Sequence, residues 1–172
     1  MRRRDPDCMV IADQYPTDKT RYIERFNEEF DKTRAETFKW LQEQKLVAFV
    51  FQAGPDNLDY PVMAVAPANA GFFAFGLSLL QGINDLSNID KKIKPKGYIF
   101  VAPPFRHTHF DGKQVVVHNR LKEGYELFSY NLYPGPSAKK GVYSMLINLG
   151  EKNEWPTLHC SAVQVITPYD NK

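Results

Sequence analysis

Two adjacent lysines, Lys139 and Lys140, lie near the end of a run that starts at Tyr133 and reads Tyr-Pro-Gly-Pro-Ser-Ala-Lys-Lys-Gly. Proline and glycine favour a rigid turn, which would hold the ammonium groups in fixed positions. Ammonium groups bind anionic oxygens, so the pair is a candidate site for a carboxylate or a phosphate. The alternative interpretation is a solvated loop with two surface lysines. The run is not a phosphate loop, because the pattern GxxxxGK[ST] is absent from the sequence.

A second candidate residue, His159, lies in the apolar run Leu-His-Cys-Ser-Ala. Side chains alternate along a strand, so His159 and Ser161 would share one face. If that face lines a cleft, a neutral imidazole there can bind a metal ion. The alternative is a core histidine whose hydrogen bonds are satisfied within the protein.

Three other histidines, His107, His109 and His118, lie within about a dozen residues of one another. No acidic or cysteine residues stand beside them at the spacing of known zinc sites. The pattern therefore favours a loop next to a strand. A hydrolase built on these histidines is the competing hypothesis.

The front of the chain holds the arginines Arg2 to Arg4, followed by Asp5 and Pro6. A guanidinium group matches a carboxylate through two parallel hydrogen bonds, so Arg4 is a candidate for binding one. The alternative is a basic terminus with no specific role.

Composition limits the class of protein. The chain has 172 residues, of which 43% are apolar and 24% charged, which indicates one globular domain spanning 1–172. A net charge of +2 without a broad basic patch argues against a nucleic-acid or membrane-surface role. No apolar stretch reaches transmembrane length, no signal peptide is recognisable, and the cysteines form no CxxC pair. We expect a cytoplasmic protein.

The hydrophobic pattern predicts alternating strands and helices. Apolar runs predict strands over 8–12, 46–52, 61–66, 98–102, 114–118 and 158–167. Helices are predicted over 34–44 with Thr33 as the cap, over 70–80 as a buried helix, and over 121–130; the segment 142–148 fits a helix or a strand. This order predicts an α/β fold with a mixed sheet covered by helices.

Several stretches together resemble phosphoenolpyruvate carboxykinase. Ala138 to Ser144 is similar to the paired-lysine motif of that family, and His159 to Ala162 matches its His-Cys-Ser-Ala motif. Arg4-Asp5-Pro6 is similar to the Arg-Ser-Pro segment of the family, with Asp5 in place of serine. Residues 34–41 and 98–120 resemble the helix and strand pair between these motifs. Very similar stretches occur in a divergent bacterial group, the DUF4914 family.

The resemblance implies a carboxykinase N-terminal-domain-like fold and a defined reaction. Enzymes of this family decarboxylate oxaloacetate and transfer the γ-phosphoryl group of ATP or GTP to the resulting enolate. By residue matching, Lys140 and His159 would bind a divalent Mn or Mg ion, and Lys139 would stabilise substrate or phosphoryl oxygens. Arg4 would hold the substrate carboxylate. Tyr133 would be a weaker substrate contact, because the turn before the lysines is longer by about one residue than in the family.

The same resemblance predicts what the chain lacks. The nucleotide-binding half of the family, with its phosphate loop and metal-binding aspartate, lies beyond the histidine motif. We therefore expect this chain to be a fragment of a longer protein and to have no carboxykinase activity alone. The alternative is a non-catalytic domain that binds a small carboxylate, a phosphate or a protein partner. Apolar surface left by a missing domain would also favour self-association.

Overall fold

The computed structural model describes residues 8–54, 56–81, 94–102, 110–131, 135–158 and 160. The strands are β1 (Met9–Ile11), β2 (Leu46–Gln52), β3 (Pro61–Pro67), β4 (Gly97–Ala102), β5 (Val115–Leu121) and β6 (Gly124–Tyr130). The helices are α1 (Tyr22–Phe26), α2 (Phe30–Gln42), α3 (Gly71–Gln81) and α4 (Gly135–Lys152). Within the described ranges, no helix is both long and apolar enough to span a membrane.

The six strands form one mixed sheet in the order β1–β5–β6–β4–β3–β2. Three adjacent strands, β6, β4 and β3, run parallel, whereas β5 is antiparallel to β6 and parallel to β1. The carboxyl ends of β3, β4 and β6 therefore meet at one edge, which we call the carboxyl edge. Because β1 runs in the opposite direction to these strands, the chain enters β1 from the same edge. The predicted α/β class with a mixed sheet is confirmed.

Helices α3 and α4 pack on one face of the sheet. Alternate residues of the strands point toward them, as the two-residue period of a strand requires. The larger buried side chains of this core are Phe51, Val62, Phe73, Leu77, Ile99, Val101, Val116, Leu127, Val142 and Met145. Each loses most of its contact with water, so this layer supplies much of the hydrophobic stabilisation of the fold.

Helices α1 and α2 pack on the other face, against an aromatic core. Its buried rings are Tyr22, Phe30, Phe128 and Tyr130. The tyrosine hydroxyls are not left unpaired: the Tyr130 hydroxyl lies 2.7 Å from Thr37 Oγ1, and the Tyr22 hydroxyl lies 3.0 Å from Thr33 Oγ1. Apolar rings and paired hydroxyls together fix α2 on the sheet.

The helix predicted over 121–130 is wrong. This segment is β6, joined to β5 by a tight turn in which Leu121 pairs with Gly124. Gly124 has a φ of 136°, a conformation that L side chains rarely adopt. From Tyr125 onward every residue of β6 is buried, because the strand lies inside the sheet with helices on both faces. A strand buried on both faces lacks the polar alternation by which strands are recognised.

Two helix boundaries also differ from the prediction. Helix α2 begins at Phe30, so Thr33 lies inside the helix, buried, and is not its cap. Helix α4 covers the undecided segment 142–148 and extends back to Gly135. Pro136 falls in its first turn, where a missing N–H removes no helical hydrogen bond, so this proline does not break the helix.

Helix α3 was expected to be buried all round, and that expectation is wrong for one face. Phe73 and Leu77 face the core, but Phe72, Phe75 and Leu79 are 55%, 67% and 72% exposed. The inner face contacts β2, β3 and α4, and the opposite face points to solvent. Self-association through such a surface stays a prediction.

The strands predicted over 8–12, 46–52, 61–66, 98–102 and 114–118 are confirmed as β1 to β5. Their ends agree with the prediction to within three residues, and β2 has the predicted bounds. The strand predicted over 158–167 falls mostly outside the described residues. Leu158 and Cys160 are described, and neither lies in a strand.

Buried tyrosines predict sensitivity to alkali. Burial raises the pKa of Tyr60 to about 12 from its ordinary value of 10.0, and it also raises the pKa values of Tyr125 and Tyr130. Above pH 10 the unfolded chain releases tyrosine protons that the folded protein keeps, so stability falls with rising pH. The loss is about 1.4 kcal/mol per pH unit for each such tyrosine. Urea unfolding on either side of pH 10 measures it. Tyr60→Phe is expected to lower the slope between pH 10 and about 12; an unchanged slope contradicts the prediction.

Candidate functional site

The lysine pair lies near the carboxyl edge of the sheet. β6 ends at Tyr130 at this edge, and α4 begins five residues later at Gly135. Lys139 and Lys140 occupy the second turn of α4, so the alternative of a solvated loop with two surface lysines is wrong. The predicted turn before them is helical at Gly135 and Pro136, and Tyr133 and Pro134 lie outside the described residues. The side chain of Lys140 is exposed and therefore accessible to a ligand.

A glycine next to the lysines sets how closely α4 approaches the sheet. A Cβ atom added at Gly141 would lie 2.6 Å from Leu127 Cδ1, which is shorter than any normal contact. Leu127 is fully buried in β6. The glycine of the Lys-Lys-Gly run therefore has a packing role: it lets the helix lie directly on β6 and fixes the position of the lysines.

Other segments meet the sheet at the same edge. The chain leaves β3 there through Ala68–Ala70 and enters α3 at Gly71. Cys8, the residue before β1, also lies at this edge. Its carbonyl accepts a hydrogen bond from the N–H of Val116 at 2.8 Å. In open sheets with parallel strands, ligands bind outside the carboxyl ends of those strands. The topology therefore indicates the carboxyl edge, near which the lysine pair lies, as a candidate ligand site.

Of the five predicted site residues, the structure describes the side chain of Lys140 alone. Lys139 is placed on α4 by its backbone, whereas Arg4, Tyr133 and His159 lie outside the described residues. The structure therefore neither brings these three to Lys140 nor separates them from it.

The described chain near the histidine motif lies along the second half of α4. Leu158 is 76% exposed and Cys160 is exposed. Thr157 packs against Gly150, since a Cβ atom added at Gly150 would meet Thr157 Oγ1 at 2.3 Å. Gly150 is about 15 Å from Lys140 along the helix axis, given a rise of 1.5 Å per residue.

Of the three histidines on which the hydrolase hypothesis depends, the structure describes His118. His118 is 3% exposed in β5, and its Nδ1 lies 2.6 Å from the Tyr125 hydroxyl. The two rings also pack edge to face, so His118 has a core role. His107 and His109 lie outside the described residues. Across the described ranges, no three His, Cys, Asp or Glu side chains are grouped closely enough to hold a metal ion.

Two ion pairs with buried carboxylates join distant segments, and neither was predicted from the sequence. Arg34 of α2 donates to both carboxylate oxygens of Glu126 in β6, at 2.9 and 2.6 Å. Arg120 of β5 donates to Asp13 in the loop after β1, with Nη2 to Oδ1 at 2.8 Å. A charged residue within a strand pattern, as at Glu126, is the signal that points to such a partner. Arg34 opens the stretch 34–41 that resembled a carboxykinase helix, and here it has a structural role.

The fold and the edge geometry define an α/β protein with a lysine pair near the carboxyl ends of three parallel strands. The chain belongs to the DUF4914 family, described as a domain of unknown function, whose family model matches residues 1–172. The resemblance to this family drawn from the sequence is confirmed. No curated protein matches the chain.

Proposed function

We propose that this chain forms the substrate and metal half of a phosphoenolpyruvate carboxykinase-like enzyme. The complete enzyme would decarboxylate oxaloacetate and phosphorylate the enolate with a nucleotide bound elsewhere. The observation that carries the proposal is the location of the Lys139–Lys140 pair. It lies in the second turn of a helix that begins near the carboxyl edge, where the fold class binds small ligands.

The roles of the cationic residues follow from charge. Oxaloacetate, its enolate and a transferring phosphoryl group are all anionic. Lys139 would stabilise the oxygens on which negative charge grows, and fixed cations are effective at this because they need no reorganisation during the reaction. Arg4 would hold a carboxylate through a two-point contact. Tyr133 would contact the substrate from the segment that joins β6 to α4.

A divalent Mn or Mg ion would be held by Lys140 and His159 in this proposal. The ion would polarise substrate oxygens when bound. Lysine can bind a metal only through a neutral amine, so Lys140 would have to lose its proton on binding. The exposed position of Lys140 leaves its Nζ accessible.

Manganese binding tests the proposal. Loss of the free Mn²⁺ signal in electron paramagnetic resonance would be measured for the purified chain, with and without oxalate as a stable dicarboxylate. We expect saturable Mn²⁺ binding that weakens by about tenfold or more in Lys140→Arg and in His159→Gln. Arginine keeps the positive charge but stays protonated, so Lys140→Arg removes a metal ligand without removing the attraction for anions.

The matched control is Lys39→Arg, the same change at an exposed position on α2. It is expected to bind Mn²⁺ as the unaltered chain does. Equal Mn²⁺ binding by Lys140→Arg and the control would overturn the metal role. Oxalate binding that needs no metal would favour the alternative of a non-catalytic anion-binding domain. Turnover of oxaloacetate with ATP or GTP by this chain alone would contradict the expected dependence on a separate nucleotide-binding half.

A further inference from the structure

A cavity of about 390 Å³ lies at the opposite edge of the sheet, where β3, β4 and β6 begin. Four segments form it: the residue before β3, the residues before β4, the turn between β5 and β6, and the last turn of α4. Its lining includes four lysines, Lys94, Lys96, Lys122 and Lys152. Lys152 lies about 18 Å from Lys140 along α4, so this cavity is separate from the carboxyl edge.

Hydrogen bonds hold two of the four lysines in place. Lys96 donates through Nζ to the carbonyl and carboxylate oxygens of Asp59, at 2.6 and 2.9 Å. Lys152 donates through Nζ to the carbonyls of Leu121 and Lys122, at 2.6 and 3.2 Å. Burial, followed by the charge of Arg120, lowers the pKa of Lys152. Because burial and the Arg120 charge disfavour the charged form of Lys152, an anion bound beside its ammonium group would stabilise that form.

The other two lysines, Lys94 and Lys122, are exposed at the cavity mouth, and neither forms an ion pair within the described part of the chain. Among the residues that line the cavity, Glu123 carries a carboxylate, and Asp59 pairs with Lys96 beside it. Asp13 also acts on Lys152, but it is paired with Arg120. The lining itself has four lysines and one carboxylate, which leaves an excess of positive charge around one concave surface. Such an excess attracts small anions.

A second feature of the cavity, separate from its positive charge, is the largely buried side-chain amide of Asn148. Asn148 is only 9% exposed, and its side chain lines the cavity. Its amide makes no hydrogen bond to another described residue, so it can bind a ligand in the cavity. Tyr60, Pro95 and Leu149 form the apolar part of the lining. The cavity thus offers positive charge, an amide available for a hydrogen bond, and an apolar wall.

We propose that this cavity is a binding site for a small organic phosphate. A phosphate monoester carries close to two negative charges at neutral pH, which matches the charge excess. Its oxygens would contact the lysines and the Asn148 amide, and its organic group would pack on Tyr60, Pro95 and Leu149. The volume is within the range of small-molecule sites.

Titration calorimetry with phenyl phosphate tests the assignment. We expect saturable binding in the millimolar range or tighter, weaker binding of inorganic phosphate, and none of phenol, which has the ring without the charge. The double variant Lys94→Gln/Lys122→Gln should weaken phenyl phosphate binding about tenfold or more, because it removes two charged contacts. Asn148→Asp should weaken it as well, by placing a negative charge against the phosphate.

The matched control is Lys39→Gln/Lys113→Gln, which removes the same charge from exposed positions away from the cavity. It should bind phenyl phosphate as the unaltered chain does. Absence of saturable binding, or equal weakening in the two double variants, would overturn the site. Weakening by Lys140→Gln, which removes the positive charge, would place the phosphate at the carboxyl edge and also overturn the assignment. Binding here without Mn²⁺ binding at Lys140 would leave this proposal standing while the proposed function fails.

Discussion

Replacing Asp13 with alanine is expected to destabilise the fold by about 3–5 kcal/mol, because it breaks a buried ion pair from one side. The side chains of Asp13 and Arg120 are 6% and 13% exposed. Asp13 accepts hydrogen bonds from the backbone N–H and from the Nε and Nη2 groups of Arg120, and from the N–H of Tyr15. Alanine would leave the Arg120 guanidinium buried with only carbonyl partners. Urea unfolding followed by circular dichroism measures the loss.

The same substitution at Asp18 is the control. Asp18 forms an ion pair with Lys19 at 2.9 Å, but the two side chains are 83% and 54% exposed. Exposed pairs are screened by water and contribute little, so Asp18→Ala should leave stability nearly unchanged. If Asp13→Ala lost no more than Asp18→Ala, the pair with Arg120 would not anchor the loop between β1 and α1.

The second prediction concerns Gly141, which follows the lysine pair. Gly141→Leu is expected to cost about 1–3 kcal/mol or more, since the side chain would meet Leu127 in a fully packed core. The helix would have to move away from β6, and the lysines with it. We therefore expect both lower stability and weaker Mn²⁺ binding if the proposed function holds. Thermal unfolding and the manganese titration measure the two effects.

Gly76 in the middle of α3 provides the contrast. A Cβ atom added there would meet nothing within 4 Å. Alanine favours the helix over glycine by about 1 kcal/mol, so Gly76→Ala should stabilise the protein slightly. Gly141→Leu combined with Leu127→Ala should recover part of the lost stability, because the second change opens space at the point of contact. Strict additivity of the two losses would show that the residues do not interact.

The sequence was informative where a segment's own pattern decides its structure. The apolar runs of β2 and β3 predict strands, and the apolar segment 70–80 predicts α3, because these patterns need no knowledge of distant residues. The motifs around Lys139 and His159 led to the DUF4914 family, which the family match confirms. Local patterns predicted secondary structure less well where a segment's neighbours in the fold decide its conformation. The segment 121–130 became β6 because it lies between β5 and β4, and its burial on both faces removed the alternation that marks a strand.

For the sites, residue types were readable but their arrangement was not. The sequence shows that Lys139 and Lys140 are adjacent, but only the fold shows that a helix carries them near the carboxyl edge. The cavity lined by Lys94, Lys122 and Asn148 could not be read from the chain at all, because its residues are dozens of positions apart. Periodicity and motifs depend on neighbours in sequence, so most strands, two of the helices and the family could be predicted from them. Strand order and helix docking depend on contacts between distant segments, so the fold was needed to show which charges share a surface.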